Sequence, residues 1–513
     1  MKLNKIFLLL LGGLLGLTSC QVSVPAAYVE SSDTLVIYPD YRDIIIPVNI
    51  APMNFRINAE ADGYVTRISG QESEALVAEG QKTKFDLKQW KQLLEANQNN
   101  DLQIETFLKK DGQWIRYQVG KLTVSPDPID EYISYRLIAP SYVTYGELSI
   151  CQRNITNFET RDIYNNSAVT MKHEEQCINC HSYQNYRTDN MQFHARNLYG
   201  GTLIVSDGEP KKVNIKAENL ISGGVYPAWH PTEKLIAYSV NSTGQYFHSK
   251  DLQKVEVLDS ESDLVLFDVE TNEVSVILND SNSFETFPAW SPDGKTLYYA
   301  SAYLKPSGLI PMDEEVGLRY KEIKYDIIRM DFDIDTRTFG VADTVFKASS
   351  INKSATLPRI SPDGNYLLFT LGDFGTFHIW HKSSDLMLMD LRTGLVDPLT
   401  EVNSHDVESY HTWSSSGRWF IFSSRRDDGS YTRPYIAYFD RDGKAHKPFI
   451  VPQEDPDFYK QLYKSFNIPE FMVEPVKLSL KDFAQVLRGE TIQATLKGDY
   501  SSSGLESDKE NLY

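Results

Sequence analysis

The sequence predicts an all-β protein with an N-terminal β-sandwich-like domain, a polar connector and a β-propeller of five or six blades. Three observations carry this reading. Aromatic residues make up 12% of the chain, with 30 Tyr and 24 Phe, a composition typical of strands. Short alternating apolar runs, separated by polar turns, fill the first 150 residues. After residue 200, a motif of an aromatic residue, Pro and Trp followed by a Ser-Pro-Asp-Gly turn recurs at the spacing of propeller blades.

The bulk numbers set limits. A chain of 513 residues is too long for one small core, so two or three domains are expected. The net charge of −19 argues against nucleic acid as a partner, because phosphate contacts need a basic surface. The mean hydropathy of −0.37 fits a water-soluble body.

Residues 1–20 read as a leader. Lys2 and Lys5 form its charged start, residues 6–17 its apolar run, and Leu17-Thr18-Ser19-Cys20 its end. The apolar run is short for a membrane span. The segment resembles a bacterial lipoprotein signal with its lipobox. That resemblance implies that Cys20 is lipidated, becomes the new N-terminus and anchors the chain to a cell-envelope membrane. An ordinary secretory leader with an incidental Cys20 is the competing reading. The residues after Cys20 lack the acidic cluster that would resemble a surface-export signal. This favours a periplasm-facing position, on the outer membrane rather than the inner.

Residues 26–150 read as the β-sandwich-like domain. Strand-like runs fall at 34–38, 43–50, 55–59, 63–68, 104–107, 114–119, 133–138 and 144–150. Asp111-Gly112 is a hairpin turn signal between two of them. The one helical pattern is 86–96, with Leu87, Trp90, Leu93 and Leu94 on one stripe and Asp86 as its cap. Cys151, just after the last run, reads as a lone buried thiol.

Residues 151–200 form the expected connector, and it holds Cys177-Ile178-Asn179-Cys180-His181. This is CxxCH, the attachment signature of a c-type haem. Two thiolates can add to the two vinyl groups of one haem, and the histidine that follows can bind the iron. A thioredoxin-like CxxC would want a βαβ context, and a zinc site a second pair of ligands. A Cys177–Cys180 disulfide would leave His181 without a role. The haem reading makes Cys177 and Cys180 the covalent attachment points of one haem c and His181 the proximal iron ligand. For the sixth iron position His194 is the leading candidate and Met191 the alternative. Met171, His173, a propeller-loop histidine or an open position remain.

From 201 to 450 four segments align: Tyr226-Pro227-Ala228-Trp229-His230-Pro231, Phe287-Pro288-Ala289-Trp290-Ser291-Pro292-Asp293-Gly294, Leu357-Pro358-Arg359-Ile360-Ser361-Pro362-Asp363-Gly364 and Tyr410-His411-Thr412-Trp413-Ser414-Ser415-Ser416-Gly417. In each, Trp or Ile ends a strand, a turn follows, and an apolar strand returns. Pro sets φ at the first corner of the turn, and Gly takes the positive φ. The first copy departs from the pattern and leaves His230 free for another role, such as facing the haem. Residues 263–268 and 385–390 read as later strands of their blades. Among the other loop histidines (His248, His378, His381, His405 and His411), one or two could line the haem or a metal at the propeller mouth, although satisfying buried backbone groups is the plainer role. Arg425 and Arg426 are candidate clamps for haem propionates, with a salt-bridge cluster between blades as the competing reading.

These repeats resemble those of TolB-type β-propellers. The chain from the lipobox through CxxCH to about Pro448 resembles propeller lipoproteins of Bacteroidetes that carry a single CxxCH. The matching stretches include Asn179-Cys180-His181-Ser182, Phe193-His194-Ala195-Arg196 and Ser423-Ser424-Arg425-Arg426-Asp427-Asp428-Gly429. The resemblance implies a fold and a cofactor, and no particular activity. Residues 451–513 leave the repeat, with helical patterns at 455–466 and 480–487 and a polar tail from 497. No Ser-His-Asp set, P-loop or dinucleotide fingerprint is evident.

Two functions are expected from this reading. In one, the protein is a monohaem carrier of single electrons that uses the propeller to dock an envelope redox partner. In the other, the propeller is a scaffold that binds an envelope protein, and the haem is structural or sensory.

Overall fold

The computed structural model describes residues 23–139, 147–170, 176–250, 253 and 255–498. Cys20, Met171, His173 and the tail beyond 498 lie outside the described residues.

The N-terminal domain has a six-stranded sheet of Val29–Ser31, Ile44–Pro47, Gly63–Ser69, Leu76–Glu79, Asp101–Lys110 and Gln113–Ser125. Its two longest strands meet at Asp111-Gly112, whose φ values are 49° and 79°, as a two-residue hairpin turn requires. The helix Leu87–Ala96 starts where expected, with the Asp86 carboxylate accepting from the Gln89 backbone N–H at 2.9 Å. It buries Trp90, Leu93 and Leu94. A two-stranded ribbon, Ile37–Tyr38 with Arg56–Ile57, completes the domain among the described residues. The domain is therefore one sheet with a helix and a ribbon, rather than two facing sheets.

From about residue 130 the described residues build six successive units of at least four mainly antiparallel strands, the third and fourth joined into a ten-stranded sheet by a single parallel pairing of Ser262 with Phe284, in a β-propeller-like arrangement. The first unit holds β1 (Tyr132–Ile138), β2 (Ser149–Asn154) and β3 (Thr160–Asn165). The second begins with β4 (Gln176–Gln184) and β5 (Arg187–Asn197). The third to sixth begin with β6 (Val225–Trp229), β7 (Ser283–Trp290), β8 (Ser354–Ile360) and β9 (Glu408–Trp413). The chain then returns, and β10 (Ser465–Met472) pairs with β1 as the inner strand of the first unit. Each inner strand packs on the next, from β4 through β6, β7, β8, β9 and β10 back to β4, so the succession closes on itself.

Residues 151–200 are thus not a connector. Except for 171–175, which lie outside the described residues, they supply strands of the first two units. The polar composition that reads as loop is buried and bonded. The Tyr164 hydroxyl donates to Gln176 at 2.7 Å, and the Gln184 amide donates to the His230 carbonyl at 2.8 Å. The expected boundary at 150 falls inside β2. The 451–513 region contains helices Phe458–Gln461 and Leu480–Arg488, and between them the β10 strand that the sequence pattern did not reveal.

The repeat turns follow the expected chemistry. In the fourth unit the Ser291 hydroxyl accepts from the Thr296 backbone N–H at 3.0 Å, and Gly294 holds φ 71°. Ser361, Tyr366 and Gly364 repeat this in the fifth unit, with the hydroxyl at 2.9 Å and φ 75°. In the third unit His230 takes over the cap. Its Nδ1 accepts from the Glu233 N–H at 3.0 Å, and its Nε2 lies 2.9 Å from the Gly294 carbonyl. It belongs to the turn and does not face the cavity described below. One hydrophobic cluster joins Trp90 and Leu122 of the N-terminal domain to Trp413, Trp419 and Phe422 of the sixth unit, so the two regions share a core.

Candidate functional site in the central cavity

All six inner strands carry a bulge at the same place, where one residue takes positive φ: Cys180 (53°), Tyr226 (48°), Phe287 (53°), Leu357 (57°), Tyr410 (46°) and Ile468 (52°). The strand register shifts at each of these points. The CxxCH strand is therefore a copy of the repeat. Cys180 stands where the other units place large apolar or aromatic residues. His181 stands where they place Pro227, Pro288, Pro358, His411 and Pro469.

The bulge decides where the sulfurs go. In a regular strand, residues three apart face opposite sides. The register shift between Asn179 and Ser182 reverses that parity. Cys177 and Cys180 accordingly line one cavity of about 480 Å³, within the roughly 300–1,000 Å³ usual for small-molecule sites. Both are free thiols, each 7% exposed. Tyr226, Phe377, Trp380 and Tyr410 supply its aromatic wall, and Ile468 of β10 also lines it.

β5 pairs with the CxxCH strand, setting Arg196 opposite Cys177 and His194 opposite Asn179. His194 lines the cavity. Its Nδ1 is held 2.8 Å from the Thr202 hydroxyl, and its buried Nε2 has no hydrogen-bond partner. Burial and the Arg196 charge push its pKa down to about 3, so the ring is neutral and its free nitrogen can act as a ligand. Arg136 of β1 and Arg196 also line the cavity. Burial pushes the Cys177 thiol up, and these two guanidinium groups offset part of that rise.

His181 is 1% exposed and packs edge-on to Tyr183 with ring centroids 6.2 Å apart. It does not line the cavity, and neither ring nitrogen makes a well-formed hydrogen bond. Burial and Arg136 push its pKa down to about 3, with the Ile468 backbone opposing. Met191 is fully buried in the apolar cluster of the second unit with Ile178, Phe193 and Leu203, away from the cavity wall.

Arg425 and Arg426 do not line the cavity either. Arg425 stacks over Trp380 at 4.3 Å. Arg426 pairs with the buried Glu408 at 3.0 Å, an ion pair within the sixth unit rather than one between units. The guanidinium groups at the cavity are instead Arg136 and Arg196. The first carries no sequence signal. The second closes the Phe193-His194-Ala195-Arg196 stretch.

Other singled-out groups have structural partners. His378 lies 2.8 Å from the Thr356 hydroxyl, His381 2.9 Å from Glu256, and His411 3.0 Å from the Leu368 carbonyl. The Cys151 thiol donates to Asp162 at 3.3 Å. Among the described residues no three His, Cys, Asp or Glu groups converge to hold a metal ion. A haem iron needs only one or two protein ligands beside its porphyrin.

No protein-family model matches the chain, and no curated protein matches it. Solved structures do. A puromycin-hydrolyzing peptidase of Mycobacterium tuberculosis is 10% identical with a TM-score of 0.33, over 61% of this chain and 46% of that one. A prolyl endopeptidase is 11% identical with a TM-score of 0.33, over 62% and 42%. A luciferin-regenerating enzyme is 9% identical with a TM-score of 0.34, over 63% and 96%. The chain spans less than half the length of the two peptidases.

Proposed function

We propose that Cys177 and Cys180 carry one covalent haem c in the central cavity of a six-bladed, TolB-like propeller, and that the protein transfers single electrons in the cell envelope. The observation that carries this reading is the bulge at Cys180, which turns both sulfurs of a CxxCH into one cavity beside a neutral imidazole with a free nitrogen. Bound there, the haem supplies an iron that cycles between two oxidation states.

The chain's own residues do the rest. Cys177 and Cys180 hold the porphyrin. His194, oriented by Thr202, presents Nε2 as an iron ligand. His181, the ligand the motif assigns, would serve as an iron ligand only if it came to line the cavity, which it does not in this structure. Arg136 and Arg196 offer paired donors to carboxylates such as the propionates. The aromatic wall keeps water away and lowers the local dielectric, which tunes the potential.

In this reading lipidated Cys20 holds the protein to the periplasm-facing side of a membrane, the outer one by preference, and the propeller docks a redox partner. A scaffold role with a structural haem is the second reading. It is favoured by Cys180 taking a position that five other units fill with packing residues.

The test is to express the chain with a c-haem maturation system, denature it and look for haem that stays attached, with spectra of both oxidation states. Covalent haem that is lost in the Cys177→Ala, Cys180→Ala protein supports the reading. A chain that matures without haem overturns it.

A further inference from the structure

A second cavity, of about 670 Å³, lies between the N-terminal domain and the first unit. It occupies the opposite side of β1. Tyr135 and Leu137 face it, while Arg136 and Ile138, alternating with them, face the central cavity. Arg153 of β2 lines this second cavity and is only 4% exposed.

Arg153 has no anion. Its Nη atoms donate to the Gln453 amide oxygen at 2.9 Å and the Pro452 carbonyl at 2.7 Å, with weaker contacts of 3.4 Å to the Phe158 carbonyl and the Thr160 hydroxyl. Its Nε has no partner, and among the described residues it forms no ion pair. The ionisable groups facing it are the phenols Tyr135, Tyr459 and Tyr41, which carry no charge at ordinary pH. A guanidinium removed from water without an anion is costly. Of its five N–H donors, the two short bonds leave Nε–H and an Nη–H for a carboxylate. The rim lysines do not compete, since Lys82 pairs with Asp455 and Lys84 with Glu454, each at 2.7 Å. The apolar part of the wall is supplied by Phe158, whose ring lies 5.6 Å from the guanidinium, and by Phe466, whose ring is tilted against that of Tyr135 with centroids 4.7 Å apart.

We propose that this cavity binds an amphipathic monocarboxylate, its carboxylate on Arg153 and its apolar body against Leu137, Phe158 and Phe466. The assignment is independent of the haem reading.

The test is calorimetric titration of the full chain with octanoate, n-octanol and inorganic phosphate. Octanoate should saturate a single site, with octanol and phosphate each weaker by at least about tenfold. Leu137→Trp fills the cavity without removing a hydrogen bond of Arg153, and should weaken octanoate by a similar factor. Arg153→Met should erase the preference for octanoate over octanol. If that variant does not fold, Leu137→Trp decides alone. The Cys177→Ala, Cys180→Ala protein should bind octanoate as the parent does. Equal binding of octanoate and octanol, phosphate binding tighter than octanoate, or unchanged binding by Leu137→Trp would each overturn the proposal.

Discussion

Cys180 and Tyr226 hold the same backbone conformation one unit apart, with φ of 53° and 48°, each as the positive-φ residue of an inner-strand bulge. The thiol therefore sits in a position whose conformation the fold imposes on any occupant. Leu357 fills it in the fifth unit. Cys180→Leu should fold with stability within about 1.5 kcal/mol of the parent, because the side chain points into open cavity space. It should lose stable covalent haem. Thermal unfolding beside a haem stain checks both halves, and a variant that fails to fold would contradict the equivalence.

The imidazole ligand can be assigned by paired substitutions. With His194 lining the cavity and its Nδ1 held by Thr202, His194→Ala should change the spin state of the iron, visible in the absorption spectrum. Thr202→Val should produce a partial version of that change by loosening the ring. A His194→Ala spectrum identical to the parent's would leave His181 as the sole protein ligand.

The pH dependence of stability has a predicted sign at Glu470. Burial raises its pKa from the ordinary 4.5 to about 8, with Arg359 opposing. The folded state thus holds a proton that the unfolded state releases between these values. The contribution is fully present below about pH 4.5 and is lost as pH rises toward 8. Glu470→Gln keeps the neutral shape and removes the titration. Its melting temperature should exceed the parent's at pH 8 by about 2–4 °C and match it near pH 5. Equal melting temperatures at pH 8 would show that Glu470 ionises freely.

The shared core of the N-terminal domain and the sixth unit predicts one cooperative transition rather than two. Trp90, fully buried with its indole N–H 3.0 Å from the Ile50 carbonyl, is the probe. Trp90→Ala should cost about 3–5 kcal/mol and lower the whole calorimetric peak. An early separate peak for the N-terminal domain would refute the coupling.

What could be read in advance follows the range of each signal. Asp86 caps its helix and Asp111-Gly112 turns its hairpin because both depend on neighbours a few residues away. The four aligned repeats announce their units for the same reason. The CxxCH copy is hidden because Cys180 replaces the large apolar or aromatic residue of the other copies and His181 stands where most of them have Pro. Ile468-Pro469 keeps that pattern in part, but its partner β1 lies more than 300 residues earlier, as the Asn467–Arg136 pairing shows. Arg136 owes its place to that same distant pairing and is silent in the sequence. The second unit reads as a loop because composition does not reveal that the amides of Gln176, Gln184 and Gln192 are buried and bonded.

The pairing of β10 with β1 also sets the order in which the molecule can be completed. Its two strands lie more than 300 residues apart, so closing the ring is the strand pairing of highest sequence separation among the described residues and carries a large loop-closure entropy. A nascent chain holds β1 early and must wait for β10. Until it arrives, the edge of β1 is unpaired, the face beside Arg136 is open, and the wall supplied by Ile468 is missing. During that interval the bare edge is available to a second nascent copy, which makes strand exchange between chains the characteristic hazard of its assembly.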